Sequence, residues 1–311
     1  MNEHIVKKRL SLPFYNHLAK SEPMRLVQMA EEHYHEQLSA ISRHICENKE
    51  RYKVVLLAGP SASGKTTTAS KLRKQLKKDG IESVYVSLDN FFFNRDDLPF
   101  LEDGMRDFES VNALDLDCLN RFFKDLLETN HAQAPVFDFN TGCRSDQVID
   151  LKIDDNFVVI IEGIHALNPI ITGEHYAGSF CKLYISPKSE FELDGRVVLN
   201  SRNIRLIRRI VRDYHFRSSS AVNTLNMWKH VVTGEDVYIR PYRTTADFWI
   251  DSTYFYEPMI FHHDLLPILA EVPDDSPYSD RCKALGKILD LFYDLEKEVV
   301  PADSLLREFI G

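Results

Sequence analysis

Residues 52–90 read YKVVLLAGPSASGKTTTASKLRKQLKKDGIESVYVSLDN, and this stretch decides the fold. The apolar run at 52–58 is followed by GPSASGKT at 59–66, which fits the pattern G-x-x-x-x-G-K-[ST]. A helical pattern then covers residues 66–78 and closes at a turn-forming Asp-Gly pair before a second β-rich run. A glycine-rich loop in this position, between a strand and a helix, predicts a phosphate-binding loop.

The loop composition predicts ATP as the ligand and Mg²⁺ as its companion ion. Backbone N–H groups of such a loop and the positive helix end point at phosphate, and the lysine adds a charge near the terminal phosphates. The hydroxyl of Thr66 is predicted to contact Mg²⁺, with Lys65 as a catalytic contact. The alternative is a chance Gly/Ser-rich turn. The residues predicted to bind ATP are Gly59, Pro60, Ser61, Ala62, Ser63, Gly64, Lys65, Thr66 and Thr67.

Working outward, short β-rich runs alternate with helical patterns. Besides 52–58, these runs cover residues 82–88, 157–163, 181–187 and 246–252. Near-continuous apolar strands are typical of a parallel sheet with helices on both faces, so the predicted fold class is α/β. The loop motif at 59–66 makes the predicted fold one of the P-loop NTPase type.

Helical patterns flank this region on both sides. Apolar residues at three- and four-residue spacing predict an amphipathic helix from Glu22 to Lys49, and two further helices are predicted around 262–272 and 280–299. We therefore expect a helical N-terminal extension at 1–50, a P-loop region at 51–255 and a helical C-terminal region at 256–311.

Bulk properties restrict the class of protein. The chain has 311 residues and a net charge of -9, which argues against broad binding of nucleic acid or anionic membranes. Its five cysteines are an odd number without a C-x-x-C pair, and no apolar run of about 18 residues occurs. We expect a cytoplasmic protein that acts on a small molecule, without a membrane or nucleic-acid partner; assembly into a homo-oligomer stays open.

Two carboxylates stand at predicted strand ends, where open α/β sheets bind their ligands. Asp89 could accept a proton from an attacking hydroxyl. The alternatives are that it caps a helix or hydrogen-bonds to a group that binds Mg²⁺. Glu162 ends the apolar run VVIIE, where a carboxylate is expensive unless it meets a metal or a donor. It is predicted to bind Mg²⁺ and to face the substrate, with a satisfied structural glutamate as the alternative.

A basic cluster stands out in this acidic chain. The segment 204–217, IRLIRRIVRDYHFR, contains five arginines: Arg205, Arg208, Arg209, Arg212 and Arg217. Such a cluster could close over the triphosphate and neutralise charge on the transferred group, and a solvated basic helix is the alternative. The histidine pairs at 33/35 and 262/263 have the wrong spacing for a metal site on one helix face.

In the order of its motifs the chain resembles the uridine kinase and phosphoribulokinase family of P-loop kinases. The resemblance rests on GPSASGKTTTA, SLDNFF, DFESVNALD, PVFDFNTGCR, IIEGIHALNP, RLIRRIVRD, TLNMWKHVVTGED, PYRTTADF and SLLREFIG, and it covers nearly all of the sequence. It is closer to the bacterial branch whose kinase part often follows a synthetase-like TGS region, a region not recognised in these 311 residues.

The resemblance implies roles for particular residues. It makes Asp89 the general base, places Glu109 on the ribose of the acceptor, and puts Phe137 and Arg144 in a base-recognition hairpin. Arg209, Arg212 and Arg217 match the arginines of the family's lid, around residues 204–220. Phe92 and Arg106 are further candidates for contact with the acceptor.

The chain departs from the uridine–cytidine kinase pattern at three positions. Phe137 and Gly142 stand where Tyr and His are typical, and Ser219 stands where a last lid arginine is typical. The expected reaction is transfer of the γ-phosphoryl group of ATP to the 5′-hydroxyl of a nucleoside, uridine or cytidine first. Alternatives are a kinase for another hydroxylated metabolite, such as ribulose 5-phosphate, and an ATP-binding regulatory protein without turnover.

Overall fold

The computed structural model describes residues 7–172 and 176–311 and contains a central parallel sheet. The strands are β1 Arg9–Ser11, β2 Val54–Ala58, β3 Glu82–Ser87, β4 His131–Asp138, β5 Cys143–Lys152, β6 Phe157–Glu162, β7 Phe180–Ser186, β8 Glu190–Leu193, β9 Arg196–Leu199 and β10 Phe248–Asp251. The helices are α1 Leu12–Ser21, α2 Pro23–Glu47, α3 Lys65–Lys78, α4 Leu116–Thr129, α5 Pro169–Thr172, α6 Ser201–Arg217, α7 Ala221–Gly234, α8 Glu257–Ala270, α9 Ser279–Leu289 and α10 Arg307–Ile310.

Five strands form the central sheet in the order β10-β7-β2-β6-β3, and all neighbours run parallel. The five predicted strands coincide with these five, and the predicted α/β class is confirmed. Because the strands are parallel, their carboxyl ends lie at one edge of the sheet. The loop after β2, the turn after β3 and the end of β6 therefore meet there.

The sheet is buried on both faces, as its near-continuous apolar strands predict. Val55 and Leu57 point into a core shared with α2, α3, α6 and α8. Val54 and Leu56 point into a second core shared with α4 and the antiparallel hairpin β4–β5. The hairpin thus belongs to the same side as the turn that follows β3.

The N-terminal extension contains two helices rather than one. Helix α2 is confirmed as Pro23–Glu47, and its apolar stripe is buried. Helix α1 was not predicted; it is separated from α2 at Glu22, whose φ of -142° and ψ of 60° are not helical. Proline disfavours a helical conformation in the preceding residue, which explains the break before Pro23.

The second C-terminal helix is shorter than its sequence pattern suggests. Helix α9 ends at Leu289, so the prediction of a helix up to residue 299 is wrong beyond that point. Asn16 of α1 donates to the carbonyl of Leu291 at 2.7 Å and accepts from the N–H of Tyr293 at 2.9 Å. These tertiary bonds use backbone groups that a longer helix would need.

One apolar core joins all three predicted segments. It contains Tyr34 from α2, Leu72 from α3 and Phe261 from α8, all with 1% exposure or less. We propose that the extensions fold with the P-loop region as one unit. Among the helices of residues 7–172 and 176–311, none is long and apolar enough to cross a bilayer.

Candidate active site

The phosphate loop connects β2 to α3, as predicted. Helix α3 begins at Lys65, so the N–H groups of its first three residues have no partner within the helix. The first helical bond runs from the N–H of Thr68 to the carbonyl of Gly64, at 2.9 Å. Lys65 Nζ lies 3.4 Å from the carbonyl oxygen of Pro60, so its charge stays over the loop. These groups form a cradle for an anion.

Glu162 sits at the end of β6, beside the loop and surrounded by hydroxyl groups. Its register partners are Leu57 on β2 and Ser87 on β3. Its Oε1 accepts from Tyr85 Oη at 2.8 Å, from Ser87 Oγ at 3.3 Å and from Thr66 Oγ1 at 3.4 Å. The two hydroxyls on β3 were missed by the sequence analysis, although strand alternation places them on the same side.

The Thr66 hydroxyl and the Glu162 carboxylate offer adjacent oxygen atoms to a cation. Mg²⁺ usually takes one or two protein oxygens and completes its shell with water and substrate phosphates. Within the described ranges, no group of three or more His, Cys, Asp or Glu side chains could hold a metal ion by itself. The pair therefore suits Mg²⁺ that arrives with a nucleotide.

Asp89 lies in the short 3₁₀ turn Leu88–Phe91 that follows β3. Its N–H donates to Ser87 Oγ at 3.3 Å. A Cβ added at Gly163 would lie 2.7 Å from Leu88 Cβ, so a glycine after Glu162 allows this turn to approach. The carboxylates of Asp89 and Glu162 are close enough to interact electrostatically.

The surroundings of Asp89 make it a weak acid. Burial in the cleft, and then the charge of Glu162, raise its pKa to about 7, while Lys65 and Arg217 oppose the shift. A carboxyl group with a pKa near the operating pH can accept a proton and release it again. The position fits the predicted general base, and the role itself stays a proposal.

Helix α6 brings four of the five arginines into the interior, so the alternative of a solvated basic helix is wrong. Arg209 donates to Ser61 Oγ at 2.8 Å, and Arg205 donates to the carbonyl of Ser61 at 3.0 Å. Arg212 makes two bonds to Asp213, at 2.9 and 2.8 Å. Arg217, whose side chain is 58% exposed, lies at the end of the helix.

Arg208 has a different environment from the other arginines of α6. It is fully buried and donates to both carboxylate oxygens of Glu257, at 2.6 and 2.9 Å. The pair links α6 to the start of α8. Its separation of 49 residues explains why no local pattern revealed it.

The hairpin β4–β5 packs on the turn Leu88–Phe91 that contains Asp89. Phe137 is 8% exposed, and its ring meets that of Phe92 edge-on at 6.2 Å between centroids. Gly142, with φ of +72°, carries the side chain of Arg95 above it: an added Cβ would lie 2.8 Å from Arg95 Nε. The departure from His at this position is therefore matched by an arginine that fills the space.

Two arginines predicted to contact the acceptor are engaged by the protein itself. Arg144 donates to the carboxylate of Asp115 at 2.9 Å and to the carbonyls of Phe91 and Phe92 at 2.9 and 3.0 Å. It thus holds the segment that follows Asp89.

Arg106 lies 3.8 Å from the centre of the Phe100 ring and donates to the carbonyl of Leu98. Glu109 lies within electrostatic range of Arg209 and of Lys65 in the phosphate loop. Burial raises its pKa, and the charges of Arg209 and Lys65 oppose that shift. Glu109 and Arg106 line the same pocket of about 150 Å³, and the guanidinium of Arg106 is already engaged there by Phe100 and Leu98.

A cleft of about 870 Å³ lies elsewhere in the described residues. Residues of β7, α6 and α7 line it. One of them is Arg205, which also donates to the carbonyl of Ser61 in the phosphate loop. Lys65, Asp89 and Glu162 do not line it. The chemistry of the loop and the strand ends, rather than cavity size, locates the candidate site.

The chain is similar in sequence to known proteins. The model of the phosphoribulokinase / uridine kinase family matches residues 54–254. A uridine kinase from Ligilactobacillus salivarius is 28% identical over 203 residues, which are 64% of this chain and 85% of that protein. A uridine kinase from Staphylococcus aureus is 28% identical over 195 residues, 62% of this chain and 84% of that protein.

A solved structure described as "a Possible Uridine Kinase from Bacillus stearothermophilus" overlaps 70% of this chain and 98% of its own, with 19% identity and a TM-score of 0.46. The family model covers all five strands of the central sheet, the loop, both strand-end carboxylates and helix α6. The chain therefore belongs to the phosphoribulokinase / uridine kinase family of P-loop kinases.

Proposed function

We propose that this kinase transfers the γ-phosphoryl group of ATP to the 5′-hydroxyl of a nucleoside, with uridine and cytidine as the first candidates. The observation that carries the proposal is the position of Asp89, a carboxylate of raised pKa that lies within electrostatic range of Lys65, in the turn on which the hairpin β4–β5 packs. The names of the relatives, at 26–28% identity, support a nucleoside as the acceptor.

On the donor side, the free N–H groups at the start of α3 and the ammonium of Lys65 hold the phosphates. Thr66 and Glu162 hold Mg²⁺, which neutralises charge on the phosphates when it is bound. Arg209 donates to Ser61 Oγ and so sits beside the loop. Together with Arg212 and Arg217 it stabilises the charge that spreads over the transferred group.

On the acceptor side, Asp89 orients the hydroxyl and takes its proton as the bond to phosphorus forms. Glu109 accepts hydrogen bonds from the ribose. Phe92 and Phe137 form an apolar wall for the base, and Arg144 keeps this wall in place through its bonds to residues 91 and 92.

The engagement of Arg106 favours an uncharged acceptor over a sugar phosphate. A phosphorylated acceptor would need a free cation close to Glu109. The guanidinium of Arg106 instead stacks on Phe100, 3.8 Å from the ring centre, and donates to a backbone carbonyl. This observation ranks ribulose 5-phosphate below a nucleoside as the candidate acceptor.

The deciding experiment measures ADP release with ATP, Mg²⁺ and a panel of nucleosides and sugar phosphates. We expect uridine or cytidine to support turnover, and we expect Lys65→Ala and Asp89→Asn to abolish it. Asp89→Asn should still bind ATP, because Asp89 is not part of the phosphate loop. If a sugar phosphate supports ADP release and no nucleoside does, the acceptor is a sugar phosphate and not a nucleoside. ATP binding without any ADP release would favour a regulatory protein.

We also infer a cytoplasmic location. All five cysteines lie in the described residues, and none of them forms a disulfide. This is usual in a reducing compartment. Association into a homo-oligomer stays a prediction, to be checked by light scattering.

A further inference from the structure

The segment 304–311 lies outside the family match yet contacts the phosphate loop. Leu305 covers the loop: a Cβ added at Gly64 would lie 2.6 Å from Leu305 Cδ1. Leu305, Leu306 and Phe309 are fully buried. The Phe309 ring packs under the guanidinium of Arg208, 5.1 Å from its centre.

This segment is held firmly. Arg307 donates to the carbonyls of Lys297 and Pro301, each at 3.3 Å. Three buried apolar side chains and these bonds make it a wall of the site rather than a loosely attached strand. A side chain on this wall therefore has a defined position relative to the loop.

Glu308 is the member of this segment that reaches the start of α3. Its Oε2 accepts a hydrogen bond from Thr67 Oγ1 at 2.5 Å. Thr67 is the third residue of α3 and one of the three whose N–H groups have no partner within the helix. A carboxylate in this place meets the same positive helix end that attracts phosphate.

The neighbouring charges agree with this position. Burial lowers the pKa of Arg217, and the charge of Glu308 opposes the shift, so the two groups lie within electrostatic range. Arg217 also acts on Asp89. Glu308 therefore faces the space between the start of α3 and the end of α6.

We propose that the Glu308 carboxylate acts as an internal anion at the donor site. It accepts the hydrogen bond of the Thr67 hydroxyl until a polyphosphate displaces it, and it thereby selects against weakly bound anions. The inference rests on the proposed role of the loop as the ATP site. A donor nucleotide offsets the loss of the Glu308–Thr67 bond through its additional contacts, whereas pyrophosphate or tripolyphosphate has fewer contacts to offset it.

The test compares Glu308→Gln with Asp303→Asn as a matched control. Glutamine keeps the shape of the side chain and removes its charge. Asp303 lies just before the segment and pairs with Lys71 at 3.6 Å, so its replacement removes the same charge without touching Thr67. Dissociation constants for ATP and for tripolyphosphate, each with Mg²⁺, are measured by calorimetry on the full chain.

We expect Glu308→Gln to bind both ligands roughly three- to tenfold more tightly, as removal of one nearby like charge predicts, because both ligands displace the same Glu308–Thr67 bond. The Asp303→Asn control should bind like the wild type. Weaker ATP binding with unchanged tripolyphosphate binding would overturn the proposal, because Glu308 would then contact the nucleoside part of the donor. Unchanged binding of both ligands would overturn it as well.

Folding and donor binding are separated by two further measurements. Thermal unfolding checks that Glu308→Gln is folded, and Glu308→Ala serves as a second variant with the same expected direction. If the wild type binds neither ATP nor tripolyphosphate, the proposed function fails. If the wild type binds both, the affinities of the Glu308 variants alone decide the proposal about Glu308.

Discussion

Replacement of Asp89 by Asn tests the electrostatic account of the site through stability as well as activity. The folded pKa of about 7 lies roughly 3 units above the ordinary value of 3.8. At about 1.4 kcal/mol per unit, the charged carboxylate costs the folded protein up to about 4 kcal/mol. Partial exposure and relaxation of the cleft reduce this, so we expect Asp89→Asn to stabilise the protein by about 1–3 kcal/mol at about pH 8.

The sign of the pH dependence follows from the direction of the shift. Between about pH 4 and pH 7 the folded protein binds more protons than the unfolded chain, so wild-type stability falls as the pH rises. The asparagine variant lacks this loss. Its gain should therefore grow from small values near pH 4 to its full size above pH 7, with about half of it present near pH 5.5.

Urea unfolding of the free enzyme without Mg²⁺, at about pH 5.5 and pH 8, measures the stability gain of Asp89→Asn and its dependence on pH. Asp97→Asn, an exposed aspartate on the same connection, controls for loss of one negative charge. Turnover of Asp89→Asn should fall by at least about 100-fold. A variant that is no more stable than wild type at pH 8, or whose gain does not change with pH, would refute the reasoning.

Three further predictions follow from particular contacts. Gly163→Ala should lower kcat by about 10- to 100-fold and spare ATP binding, because its Cβ would lie 2.7 Å from Leu88 Cβ and displace the Asp89 turn; unchanged kinetics would contradict this. Glu257→Gln should cost about 3–5 kcal/mol in urea unfolding, because it leaves Arg208 charged and buried. The double variant with Arg208→Met should recover part of that loss. Glu162→Gln should lower the pKa of Asp89 in an NMR titration, since the Glu162 charge raises it; an unmoved titration would exclude that coupling.

Much of the site could be predicted because parallel strands bring their carboxyl ends together. Once the loop after 52–58 was identified, Asp89 and Glu162 had to lie at the same edge of the sheet. The hydroxyls of Tyr85 and Ser87 follow from strand alternation, although only the register with Glu162 shows that they meet its carboxylate. The end of α9 could not be predicted, because Asn16 takes the backbone groups that the apolar pattern would have used.

The sequence by itself determined the local elements and the class of chemistry. The loop motif, the apolar strands and the amphipathic stripe of α2 depend on residues close together in the chain, and short-range geometry is enough to interpret them. Only the tertiary structure decided which charges are paired. Arg208 meets Glu257 across 49 residues and Thr67 meets Glu308 across 241. A side chain's partner depends on which surfaces pack together, and no local spacing records that choice. The phosphate loop that opened the sequence analysis therefore has a boundary, the 304–311 segment, that the loop's own residues do not reveal.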